Sequence, residues 1–309
     1  MFASFRNYAV LILALAIAFG VEIRLSDYLE AHRISVPESY GDEDLDLQGK
    51  RLKGYALGTE GLLADWYWMR SLQYVGGKID KSTDDVINLD NLRPLNPRLL
   101  YPLLDNATDL DPKFITAYSY GATVLPAIDP DQAIKLTQKG ITNNPGSWRL
   151  YQYLGYIYWR LQQYDNAADV YTRGSQIEGA PPFLQMMAGM MKTRGGSRDT
   201  ARSIYHQLYD SAQDQQTKDS VMLRMQWLDS LDERNLLNSA LSSFRDQHGR
   251  CAKSFAEIDA ALAQLERTSG KQFLVNNSGQ VVDPTGEPYG LDDGTCRATL
   301  GPHSKLPRD

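Results

Sequence analysis

Hydrophobic and polar positions follow three regimes along this chain. From Tyr8 to Val21 the apolar run is unbroken, with Arg6 the only charged side chain ahead of it. From about Leu62 to Asp246 apolar residues recur at three- and four-residue intervals, the signature of amphipathic helices. Beyond Gly249 short apolar pieces alternate with Gly, Pro and Asn clusters, which predicts turns and brief strands. The first run, with the flanking Phe2, Phe5, Ile23 and Leu25, approaches the ~20 residues that cross a bilayer. Small-x-small triplets, Ala14-Leu15-Ala16 and Ala16-Ile17-Ala18, also suit a removable signal peptide, but the apolar stretch before them is short. Residues 1–25 are therefore expected to form an uncleaved signal-anchor helix. With Arg6 inside and Glu22, Asp27 and Glu30 beyond, this predicts a single-pass inner-membrane protein whose bulk is periplasmic.

A polar, acidic connector, 26–58, follows. Its alternating Asp42, Asp44 and Asp46 lack the glycine and closing glutamate of a calcium loop, so it reads as a solvated linker. Next, "TEGLLADWYWMRSLQYVGG" predicts a helix with Thr59 as N-cap and Gly76-Gly77 as its stop. Residues 78–97 are loop-like, and "RLLYPLLDNATDLDP" resumes helical spacing. At the far end, Gln216–Leu231 and Glu233–Asp246 predict a closing helix pair.

Between these ends the chain repeats itself. Gly121, Gly155 and Gly189 stand 34 residues apart. Twelve residues after each comes an alanine (Ala133, Ala167, Ala201), and four further on stand Thr137, Tyr171 and Tyr205. The middle copy carries Tyr151, Leu154, Gly155, Tyr158, Ala167 and Tyr171, and so resembles the tetratricopeptide repeat, a helix-turn-helix unit of 34 residues. The resemblance implies an α-solenoid over 59–248, with its best copies at 114–147, 148–181 and 182–215. A glycine inside a helix costs about 1 kcal/mol relative to alanine. Three at fixed intervals imply that the missing side chain is used for close helix packing.

The same resemblance implies a groove lined by the first helix of each hairpin. Tyr118 would contribute from the first copy, and Arg149, Gln152, Tyr156 and Trp159 from the second. Phe183, Met186, Met190 and Arg194 would follow from the third. Ala122, Tyr156 and Met190 stand where carboxylate-clamp repeats place asparagine, so an apolar or helical protein segment is the expected partner. Packing of these side chains against the protein's own helices is the competing reading.

In the tail, "DPTGEPYGLDDG" and "FRDQHGRCAKSFAEI" resemble the C-terminal part of type II secretion major pseudopilins, with Thr285 replacing the usual Trp. The chain is not itself a pilin, because Glu22 follows the apolar run. This resemblance implies a small α+β unit at 249–309, in which Asp283, Asp292 and Asp293 either hold calcium or serve as turn residues. Cys251 and Cys296 flank the unit and are expected to be bridged outside the cytoplasm.

Composition narrows the chemistry. A net charge of −6 with no long Lys/Arg run argues against a nucleic-acid footprint. His32, His206, His248 and His303 show no ligand spacing, and "VGGKIDKST" lacks the phosphate-loop arrangement. No cofactor, metal site, small-molecule substrate or catalytic constellation is expected. The whole reads as a mainly α protein: one transmembrane helix, a solenoid of tetratricopeptide-like hairpins, and a small α+β unit. Its expected role is a membrane-anchored interaction scaffold or assembly factor of the bacterial envelope. The alternative is a constitutive subunit of a membrane-associated secretion, pilus or other multiprotein complex.

Overall fold

The structure, a computed structural model, describes residues 2–31, 48–82 and 87–308, with side chains described at 15–29 and from 48 onward within these ranges. It divides into two units, Met1–Asp46 and Leu47–Asp309, each described by itself. In the first, α1 (Phe2–Ala31) exposes Leu15, Ile17, Phe19 and Val21 and runs on through Glu22, Arg24 and Asp27. Among the described residues no helix is long and apolar enough to cross a membrane. This corrects the expected transmembrane helix at 1–25. The membrane as a partner and the single-pass, inner-membrane placement go with it. The unbroken run Tyr8–Val21 falls short of a ~20-residue span, and charged residues continue the same helix. The side chains of residues 2–14 and the connector 32–47, with Asp42, Asp44 and Asp46, lie outside the described residues.

The second unit opens with α2 (Gly49–Lys53), pressed onto α4 (Leu100–Leu110). A Cβ on Gly49 would lie 2.7 Å from the Asn106 carbonyl oxygen, and its N–H donates to Asn106 Oδ1 at 2.7 Å. Between them α3 (Glu60–Asp80) continues through Gly76-Gly77 instead of stopping there. Added Cβ atoms at both glycines would meet nothing within 4 Å, so no contact ends the helix. Thr59 holds the N-cap position, but its hydroxyl donates to the Ala56 carbonyl at 2.6 Å.

Three helical hairpins follow: α5 (Ile115–Val124) with α6 (Pro130–Asn143), α7 (Trp148–Arg160) with α8 (Tyr164–Ser175), and α9 (Phe183–Arg194) with α10 (Arg198–Ser211). Their repeated glycines receive rings and branched side chains. A Cβ on Gly155 would lie 2.7 Å from Tyr171 Cζ, and one on Gly189 would lie 2.6 Å from a Tyr205 ring carbon. In the first copy, where Thr137 replaces the tyrosine, Leu136 fills the vacancy at Gly121. The second helices return the arrangement, with Gly140 against the Tyr118 ring and Gly174 against Tyr151 Cβ. Ala167 has a different duty. It is fully buried in a cluster with Leu184, Ala188 and Met191 of α9, and so joins successive hairpins.

The expected closing pair is one continuous helix, α11 (Gln215–His248). No Gly or Pro interrupts residues 215–248, and Asp232 and Glu233, at the predicted turn, are held from opposite sides. Arg198 and Arg202 of α10 reach the Asp232 carboxylate at 2.7 and 2.9 Å. The Tyr289 hydroxyl donates to Glu233 Oε2 at 2.7 Å. The tail then adds α12 (Asp259–Ser269) and two antiparallel pairs, β1 (Leu274–Val275) with β2 (Val281–Val282) and β3 (Gly290–Asp292) with β4 (Arg297–Thr299). Leu237, Leu241 and Phe244 of α11 share one core with Ile258, Leu262 and Phe273. Cys251 and Cys296 form a disulfide with Cα atoms 5.2 Å apart.

Glu233 is 4% exposed, and burial pushes its carboxyl pKa up despite the Tyr289 bond and Lys271 nearby. A raised carboxyl binds its proton more tightly in the native state. Stability from this group is therefore full below about pH 4.3 and is lost as pH rises through the raised value. Relative to wild type, Glu233→Gln should gain stability as pH climbs from about 4 toward neutrality. Urea midpoints across that range read the difference directly, and a gap independent of pH would discard the assignment.

Candidate interaction surface

α7 buries Leu150, Tyr151, Leu154 and Ile157. The 3.6-residue period therefore turns Arg149, Gln152, Tyr156 and Arg160 outward. Tyr156 is 42% exposed and meets Trp159 edge-on, with ring centroids 5.8 Å apart. Arg194, at the end of α9, brings its guanidinium carbon to 5.8 Å from the Trp159 ring centroid. Two successive hairpins thus present one aromatic and cationic patch. Arg149 lies over Trp148 at 4.3 Å. Among the described residues, neither Arg149 nor Arg194 pairs with a carboxylate.

The other expected groove residues divide. Phe183 is 46% exposed at the start of α9. Met186 is half-buried against the Ala201–Tyr205–Leu208 cluster, and Met190 packs on the Tyr171–Leu184 cluster. Gln152 is half-buried. Tyr118 presents no surface, because its ring is buried against Gly140 and its hydroxyl accepts from the Asn143 amide at 3.1 Å.

Sequence reasoning missed two members of the patch. Arg160 donates to the Tyr156 hydroxyl at 3.3 Å and to the Asp90 carboxylate at 3.2 Å. Asp90 comes from the connection between α3 and α4, which is tied down where the Leu92 N–H donates to the Ala127 carbonyl at 2.9 Å. The i, i+4 spacing of Tyr156 and Arg160 was the available signal. No local pattern points to Asp90.

Two of the tail's acidic residues, Asp283 and Asp292, build turns, while Asp293 is exposed. Asp283 is fully buried, and its Oδ1 accepts from the Thr285 N–H and hydroxyl, both at 2.7 Å, while Oδ2 accepts from the Ser304 hydroxyl. Asp292 accepts from the Thr295 hydroxyl at 2.6 Å and the Gly294 N–H at 2.9 Å, which hold its carboxyl below the usual range. Among the described residues no group of three His, Cys, Asp or Glu is placed to hold a metal.

No protein-family model matches the chain, nor does any curated protein. Several solved structures do match. The crystal structure of MamA protein is 21% identical, over 52% of this chain and 85% of that one, with a TM-score of 0.34. MamA MSR-1 C2 is 16% identical, over 52% and 95%, with a TM-score of 0.30. Pseudomonas aeruginosa pilF is 16% identical, over 69% and 95%, with a TM-score of 0.36. At such identities and superpositions they carry no argument about partner or activity. The expected kinship of the tail with major pseudopilins has no matching family behind it and is withdrawn. Asp283 and Asp292, moreover, are used in the tail's own turns, and Asp293 is exposed.

Proposed function

We propose that the protein is a non-catalytic interaction scaffold that holds a protein partner on the first-helix surface of its hairpins. The carrying observation is exposed Tyr156 set edge-on against half-buried Trp159 on α7, with Arg194 of the next hairpin over the Trp159 ring. Aromatic side chains beside arginines dominate measured interface energies, and a ring already half-held by its own core has few torsions left to freeze. The half-buried Met190 adds an adaptable edge. An apolar or helical segment suits this surface best.

A photo-crosslinking residue at Trp159 or Met190, followed by mass spectrometry, should return a discrete partner. Tyr156→Ala with Trp159→Ala should cut its recovery about thirtyfold or more, the loss of a strong hot spot. Circular dichroism verifies that the variant keeps its helices. Crosslinks confined to the protein's own helices, or undiminished recovery from a folded double variant, would remove the proposal.

A further inference from the structure

On the second-helix side of the array, α2, α4 and α6 enclose a cleft of about 610 Å³. Its wall carries Lys50, Lys53, Lys135 and Lys139 together with Asp105 and Asp109. Lys139 is spent inside the fold, at 2.7 Å from Asp105 and 2.6 Å from Asp109. The other three lysines are exposed, and among the described residues none is paired with a carboxylate. Lys135 stands over the Tyr101 ring at 5.4 Å. Lys50 and Lys53 share a face of α2 at i, i+3, and Gly49 is what lets α2 lie this close to α4. A side chain there would strike the α4 backbone.

Three ammonium groups outside any ion pair, Lys135 hydrogen-bonded to Tyr101, thus gather at one cleft of a chain whose net charge is −6. We propose that this cleft binds an acidic peptide segment of a partner protein, separately from the aromatic patch on α7 and α9. The two wall aspartates decide the kind of anion. Asp105 and Asp109 repel a compact phosphate driven into the cleft. Carboxylates spread along a chain can instead meet the rim lysines one at a time. Lysine, a flexible point charge without the planar fork of arginine, suits such distributed contacts.

The test uses the full chain and a fluorescent peptide of alternating aspartate and leucine, read by anisotropy. An otherwise identical peptide with asparagine for aspartate should bind at least about tenfold more weakly. Lys50→Glu with Lys53→Glu should lower affinity for the acidic peptide by a similar factor, and the neutral Lys→Gln pair by less. Charge reversal at the remote Lys253 and Lys305 should change nothing, and Tyr156→Ala should leave this binding intact. Added salt should weaken it. Equal losses in the remote control, equal affinity for the two peptides, or displacement by inorganic phosphate as readily as by the peptide would overturn the proposal.

Discussion

Gly155→Leu is expected to destabilise the Leu47–Asp309 unit by about 3 kcal/mol, at the upper end of overpacking costs. In a domain of this size that corresponds to a fall in melting temperature of roughly 6–12 °C. The first added carbon alone would lie 2.7 Å from Tyr171 Cζ and 2.8 Å from both Cε atoms. Tyr171 is itself 1% exposed and fixed among Ala168, Leu184 and Met187, so the ring has little room to retreat. Even Gly155→Ala, which gains about 1 kcal/mol of helix propensity, meets the same ring. Shortening the partner with Tyr171→Leu should return part of the loss, giving a favourable coupling in a double-mutant cycle. A Gly155→Leu protein with the melting temperature of wild type would refute this account of the hairpin.

Removing the bridge by Cys251→Ser with Cys296→Ser should have the second large effect. The bond closes a separation of 45 residues, worth about 4 kcal/mol if loop-closure entropy dominates. The loss should appear as a tail that opens before the hairpins do. Because Leu237, Leu241 and Phe244 belong to the tail core, the far half of α11 should become cleavable with it, while α5–α10 stay protected. Limited proteolysis with and without dithiothreitol distinguishes this from global loosening. Simultaneous digestion of tail and hairpins would refute a tail that opens by itself.

The hairpins were legible because their spacing repeats: glycine and alanine recur in register in three copies and tyrosine in two, and each position bears a packing duty. What fills each vacancy was less legible. Tyr171 fills Gly155, but Leu136 fills Gly121, a choice made by side chains on a separate helix. Helix ends were read poorly for a related reason. Gly76-Gly77 carries a stop signal locally, yet nothing there competes with continuation. The closing pair looked like two helices because its apolar stripe changes course near Asp232. The stripe shifts because α11 changes partners there, from α10 to the tail, while the helix continues without a break. The aromatic patch was half visible: Tyr156 and Trp159 follow from helical phase, whereas Asp90 arrives from a distant connection. The apolar start suggested a membrane span with Glu22 and Asp27 beyond it, whereas α1 carries straight into those charges as one helix.

One unbroken rod gripped at both ends has a geometric consequence. Each residue of an α-helix advances about 1.5 Å and turns about 100°. The azimuth of the disulfide-closed tail about the repeats is therefore set by the count of residues between Asp232 and Leu237. Nothing like a hinge intervenes. A gain or loss of one residue in that stretch re-aims everything beyond it, so evolution can swing the tail only in coarse angular steps.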